Sequence, residues 1–275
     1  MKSESLPKFE RPPLTETILG AHFDPLHGLG NAHLGAFWKR LGQGWTQPTD
    51  ALPLLPQFER FGEESWGGGL SVQFGQGAPY FRMQIRNQAA DRMVQIQNGQ
   101  FHFNWLGKEG GSYPHYETVR AEFDKKLEEL GRFLKEEALG EVNPSQWEVT
   151  YVNQIFQGAL WNDRQDWDRI FKTPVSFSQT LGGASIESFA GGWQYEIPPR
   201  KGRLHISLKH GRSSALGGKE VLVLTLTARG EVKKENGWAS LSDGLNLGHE
   251  TIVKAFKEMT SDEAHKFWGL IHERP

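Results

Sequence analysis

Arg200, Lys201 and Arg203, followed by His205, Lys209, His210, Arg212 and Lys219, form a run of basic residues that no acid interrupts between Glu196 and Glu220. On a strand, Arg203, His205, Ser207 and Lys209 share one face, and Leu204, Ile206 and Leu208 share the other. The cations would then project together into water, where they could grip phosphates. Arg200, Lys201, Arg203, Lys209 and Arg212 are therefore the anion-binding candidates. The plainer reading is a solvated face or a protected edge strand, where Lys and Arg are ordinary. A second set, Glu16, Asn104, Glu148 and Asn153, places polar groups at strand positions, where burial would oblige them to pair in an internal polar network.

The remaining chemistry is mostly excluded. The chain has no cysteine, which rules out disulfides, thiolate metal sites, iron–sulfur clusters and cysteine nucleophiles. Ten histidines are present, but no His-Glu-x-x-His occurs. His22, His102, His115, His205, His249 and His265 fall on separate elements, so no metal site, no tightly bound transition metal and no cofactor are expected. Asp163, Asp166 and Asp168 fit no calcium-loop spacing and read as a polar loop anchored by Trp161 and Trp167. Gly28-x-Gly30 precedes a helix as in a dinucleotide fingerprint, but His33 stands at the third glycine position and a hairpin follows. Gly183-Ala184-Ser185 lacks the second glycine of a nucleophile elbow, and Glu231-x-Lys233 lacks the upstream Asp of a metal-dependent nuclease. No catalytic residue is assigned.

The elements that must position these residues follow from periodicity. Alternation predicts strands over residues 15–24, 81–86, 93–97 and 100–105, the middle pair joined by Asn98-Gly99, a type I′ turn signal. More strands are expected at Trp147 to Tyr151, Val175 to Thr180, Ile186 to Phe189, Trp193 to Ile197, Arg203 to His210 and Glu220 to Ala228. Helical spacing predicts helices over 32–41 capped by Asn31, over Tyr116 to Ala138 and over Leu245 to Met259. A last helix is expected behind a Thr260 to Glu263 capping box. Residues 1–13 read as a flexible tail, and Gly42 to Pro79 as mainly loop with a brief alternation at Leu70, Val72 and Phe74. Helices set between groups of strands argue for an α+β fold, an antiparallel sheet with long amphipathic helices on one face. It is expected to form a single domain over 14–275, with 14–140 and 141–275 as a candidate pair of related halves.

Pro12-Pro13-Leu14-x-Glu16, Val94-Gln95-Ile96-Gln97, Phe101-His102-Phe103-Asn104-Trp105, Tyr113-Pro114-x-Tyr116 and Glu148-x-x-Tyr151-x-Asn153 occur in that order. Together with a terminal helix carrying His249 and Phe256, they resemble a sporadically distributed family of uncharacterised bacterial proteins of about this length. The resemblance covers nearly the whole chain. It implies a bacterial cytoplasmic protein and supplies no catalytic residue.

The formal net charge of −2 offers no global field for nucleic acid or anionic membrane, no apolar run suits a bilayer, and residues 1–13 lack a signal-peptide core. A cytoplasmic, non-enzymatic binding or interaction protein with an unidentified protein partner is expected. The alternatives are an anion or nucleic-acid binder using the basic strand, and an unrecognised enzyme. Any duplex DNA held by that strand should lose log affinity with log salt at a slope of about −0.9 per phosphate contact. Titration at two salt concentrations, wild type against Arg203→Glu/Lys209→Glu, checks this; equal binding by both would remove the basic strand from consideration.

Overall fold

A computed structural model describes residues 5–55, 57–59, 61, 81–108, 111–172, 177 and 180–271. The strands are β1 (Lys8–Phe9), β2 (Leu14–Phe23), β3 (Trp45–Ala51), β4 (Arg82–Asn87), β5 (Arg92–Gln97), β6 (Gln100–Leu106), β7 (Pro144–Phe156), β8 (Ala190–Ile197), β9 (Gly202–Ser213), β10 (Lys219–Glu231) and β11 (Leu270–Ile271). The helices are α1 (Asn31–Arg40), α2 (Tyr116–Glu136), α3 (Gly237–Met259) and α4 (Asp262–Trp268). Nine strands form one antiparallel sheet in the order β3-β4-β5-β6-β2-β7-β10-β9-β8, and β1 pairs with β11. The fold is α+β.

Topology repeats about the centre. In each half the first strand, β2 or β7, lies beside the last strand of a meander, β4-β5-β6 or β8-β9-β10, and a long helix follows. β2 and β7 then pair with each other, Leu19 opposite Val149 and Gly20 opposite Glu148. One face of the sheet carries Leu19, Ala21, Phe101, Phe103, Trp147, Val149, Leu224 and Leu226, all buried in a core cluster that runs through both halves. The apolar stripe of α2, from Tyr116 and Val119 to Phe133 and Leu134, covers this face, with Phe123 against Phe101 at 6.0 Å between ring centroids. Among the described residues no helix is long and apolar enough to cross a membrane.

α3 comes into direct contact with the sheet at Trp147. A Cβ on Gly244 or Gly230 would run into its indole, and one on Gly248 or Gly202 would come within 2.8 or 3.0 Å. Glycines from α3, β9 and β10 thus enclose one aromatic side chain that is 2% exposed. The same glycines hide the helix start: α3 begins at Gly237, well before the expected Leu245, because contact with Trp147 outweighs the low helix propensity of Gly.

Other expectations need correction. Residues 5–13 do not form a free tail, since β1 pairs with β11 and Phe9 packs edge-on against Phe256 at 5.5 Å. β3, within the expected loop, is the sheet edge; there a polar strand with Pro48 needs no alternation and its unpaired side tolerates proline. Residues 186–189 are not a strand; Phe189 instead packs on Phe177 at 5.1 Å from irregular backbone, and β8 begins at Ala190. The strand expected over 175–180 lies outside the described residues except for Phe177 and Thr180, and the 70–74 alternation lies wholly outside them. Gly30, not Asn31, caps α1, and Ser261 caps α4 by accepting from the Ala264 N–H.

The glycines of the two long helices should therefore respond oppositely to a methyl group. Gly131→Ala in α2, where an added Cβ meets nothing within 4 Å, should stabilise by up to about 1 kcal/mol through helix propensity. Gly244→Ala should destabilise by about 1–3 kcal/mol through overpacking on Trp147. Urea unfolding midpoints of the two variants test the contrast.

Candidate functional site

The close approach of α3 sets His249 above Tyr151 of β7, whose hydroxyl lies 2.8 Å from His249 Nδ1 and 3.1 Å from the Tyr113 hydroxyl. Tyr116, in the first turn of α2, stacks flat on the His249 ring, 3.9 Å between centroids and 4° between planes, and donates through its hydroxyl to Asn246 Oδ1 at 3.0 Å. Arg120 Nη1 donates to the same oxygen at 3.1 Å, which ties the two helices together. Under this junction is a cavity of about 130 Å³. The N-terminal segment closes one side with Leu6, Phe9 and Pro12, while Leu226, Ile252 and Phe256 form apolar walls.

Part of the set of residues behind the resemblance converges here: Tyr113, Tyr116, Tyr151, Asn153, His249 and Phe256 all line the cavity. Burial dominates their electrostatics. It lowers the His249 pKa to about 4 and raises that of Tyr116 to about 12, and it raises those of Tyr113 and Tyr151 as well. All four rings are uncharged near neutral pH.

The opposite face of the sheet is polar. Here the expected network exists in part and divides. Asn104 Nδ2 donates to Glu16 Oε1 at 2.6 Å and Asn104 Oδ1 accepts from Gln95 Nε2 at 2.9 Å, while Gln95 Oε1 accepts from Arg82 Nη1 at 2.9 Å. This ladder crosses β2, β6, β5 and β4. Burial raises the Glu16 pKa, opposed by the hydrogen bond from Asn104 and the charge of Arg86. Glu148 sits apart from the ladder, among His22, His102 and Arg229. Asn153 is on the other face, donating to the Leu224 carbonyl at 3.3 Å.

The five anion-binding candidates do not form one surface. Arg203 Nη1 lies 2.7 Å from Glu59 Oε2, and His205 Nε2 lies 2.5 Å from Glu59 Oε1. Glu59 also meets Arg229 Nε at 3.2 Å. Burial pushes the Glu59 pKa up, but these partners pull it further down, below its usual value. The cations expected to face water are thus covered by an acid from a distant segment. Lys209 is exposed, but Arg212 has the opposite strand parity and pairs with Glu220 at 3.2 Å. Arg200 and Lys201 sit in the β8–β9 turn.

Two minor features behave as expected. Trp161 and Trp167 are buried edge-to-face at 5.8 Å and anchor the acidic loop, where Asp166 accepts from the backbone N–H groups of Asn162 and Asp163. His33 Nδ1 accepts from the Gly30 N–H at 3.1 Å, occupying the helix entry that a phosphate would need. The histidines, in contrast, are not all scattered: His22 and His102 are buried on adjacent strands and meet Glu148. Pairing of β2 with both β6 and β7 makes this contact, and a single sequence contains no direct signal of it beyond Gly20, a glycine inside an alternating strand. No protein-family model matches the chain, and no curated protein matches it.

His102 and His249, both with pKa values lowered to about 4 by burial, link stability to pH. An unfolded chain protonates its imidazoles near pH 6.5 while the folded protein does not, so the unfolded state binds more protons in between. Stability should fall as pH drops from about 6.5 to about 4, with no further loss from these two groups below that. His249→Gln should flatten the decline by up to about one proton, measured as the pH dependence of the urea midpoint.

Proposed function

We propose that this chain is a non-enzymatic bacterial and cytoplasmic binding protein, whose tyrosine–histidine cavity takes a small uncharged ligand of about one ring with one hydrogen-bonding group. The observation that carries this reading is the lining itself, Tyr116 stacked flat on His249 with the Tyr113 and Tyr151 hydroxyls beside them. A general acid or base works best with a pKa near the operating pH, and these four lie far from it. They do supply a flat aromatic wall, apolar sides and hydroxyl groups at one end, a combination suited to orienting a neutral ring. The volume of about 130 Å³ is close to that of engineered apolar cavities that bind benzene, roughly 150 Å³. The charged residues of the lining, Lys8 and Glu117, are exposed and opposite in sign, so an anionic ligand gains no net charge complement for its desolvation cost.

Phenol, benzene and benzoate serve as probes, with thermal unfolding as the readout. At about ten times its dissociation constant, a ligand that binds only the folded state adds about 1.4 kcal/mol, worth about 2 °C at this size. Phenol and benzene should raise the midpoint and benzoate should not. Val253→Phe, which fills the cavity from α3, should abolish both shifts. Absence of any shift in the wild type, or equal shifts in the filled variant, would reject the reading.

A further inference from the structure

On the polar face, opposite the cavity, β2 brings its neighbours into a second arrangement. Gly20 faces His102 of β6 on one side and Glu148 of β7 on the other. A Cβ on Gly20 would come within 2.6 Å of His102 Cδ2 and 2.9 Å of its Nε2, so the glycine leaves a hollow into which the imidazole leans. His22, two residues along the same strand and facing the same way, completes the group. His22 Nε2 is 3.6 Å from Glu148 Oε2, His102 Nε2 is 3.8 Å from Glu148 Oε1, and one donor atom from each residue lies within 4.8 Å of the others. The side chains of His22 and His102 are 5% and 4% exposed. Among the described residues both ring nitrogens of His22 lack a hydrogen-bond partner, and so does the buried Oε1 of Gln100, its neighbour across the β2–β6 ladder.

We infer that His22, His102 and Glu148 form a binding site for a divalent first-row metal ion of the zinc class. Orphaned buried imidazole nitrogens are costly, and an ion between the three side chains would remove that cost. Ligand atoms 2.0–2.1 Å from a tetrahedral zinc are about 3.3 Å apart, so the two histidine–carboxylate separations of 3.6 and 3.8 Å need to close by tenths of an ångström, and the widest separation in the group, at most 4.8 Å, by up to about 1.5 Å. Two imidazoles and a carboxylate favour such an ion over calcium or magnesium, which prefer all-oxygen shells. Arg229 Nη1 lies 3.6 Å from Glu148 Oε2, a competing cation that also lies against Glu59. This site reverses the expectation drawn from histidine spacing, and it is independent of the ligand reading of the cavity.

The test uses the full chain, treated with chelator and titrated with zinc against a chromophoric competitor, then with cobalt(II) for its visible absorption. One equivalent should bind, with cobalt bands more intense than those of the aqueous ion. His102→Ala, Glu148→Gln and Gly20→Ala should each weaken zinc at least ten-fold, whereas His33→Ala, on α1, should not. No binding by the wild type, or equal binding by the ligand variants, would overturn the proposal. Should a variant fail to fold by circular dichroism, imidazole NMR signals of the wild type decide: zinc should shift those of His22 and His102, and their indifference would overturn the assignment.

Discussion

Contact between Trp147 and four glycines determines how close the helical layer lies to the sheet. Gly202 and Gly230 leave space for the indole within the sheet, and Gly244 and Gly248 let α3 rest on it. Interiors are packed as densely as organic crystals, so the position of α3 is set within a narrow range. His249 follows Gly248 directly, and its ring therefore meets both the Tyr151 hydroxyl and the face of Tyr116. Were the glycines larger, the helix would stand off and the aromatic junction would open. The low helix propensity of these positions is offset by the contact they permit.

The two faces of the sheet solve the burial of polar groups in different ways. On the helical side, polar atoms are few and pair within the tyrosine–histidine cluster or with backbone, as Asn153 does with Leu224. On the other side, whole ladders of polar residues are buried, and ion pairs from a distant segment complete them. Glu59 engages Arg203, His205 and Arg229, and Gln146 Nε2 donates to the Gln57 carbonyl at 2.8 Å. Buried charges seldom raise stability compared with apolar packing, but removing one partner is costly because the other stays desolvated. The polar face is therefore specified jointly by residues far apart in the chain.

Much of the layout was legible in the sequence, and the reasons for the rest are physical. Asn98-Gly99 and the alternation around it located β5 and β6, and the stripe from Tyr116 to Leu134 located α2, because local periodicity alone decides those elements. The alternation of the basic strand from Arg203 to Lys209 was legible, but Arg212 falls on the other face and the cover was not legible, since Glu59 reaches Arg203 across 144 positions. β3 was invisible because an edge strand need not alternate. The cavity residues were in view as motifs, but nothing in their spacing shows that they meet. Only the pairing of β2 with β7 and the seating of α3 bring them together, and both are long-range choices that local propensity does not encode.

The pairing of β1 with β11 has a consequence for the order in which the chain is made. Among the described strands β1 leaves the ribosome first and β11 last, and there each pairs only with the other. Phe9 reaches its place against Phe256 and Trp268 through this clasp, and the segment that carries it forms one wall of the cavity. Synthesis proceeds at about 5–20 residues per second and earlier elements fold first, so the sheet and α2 have their partners before the clasp does. The aromatic junction is thus assembled open to water and is closed from one side only when residues 270 and 271 emerge, making closure of the cavity a late event in the life of each new chain.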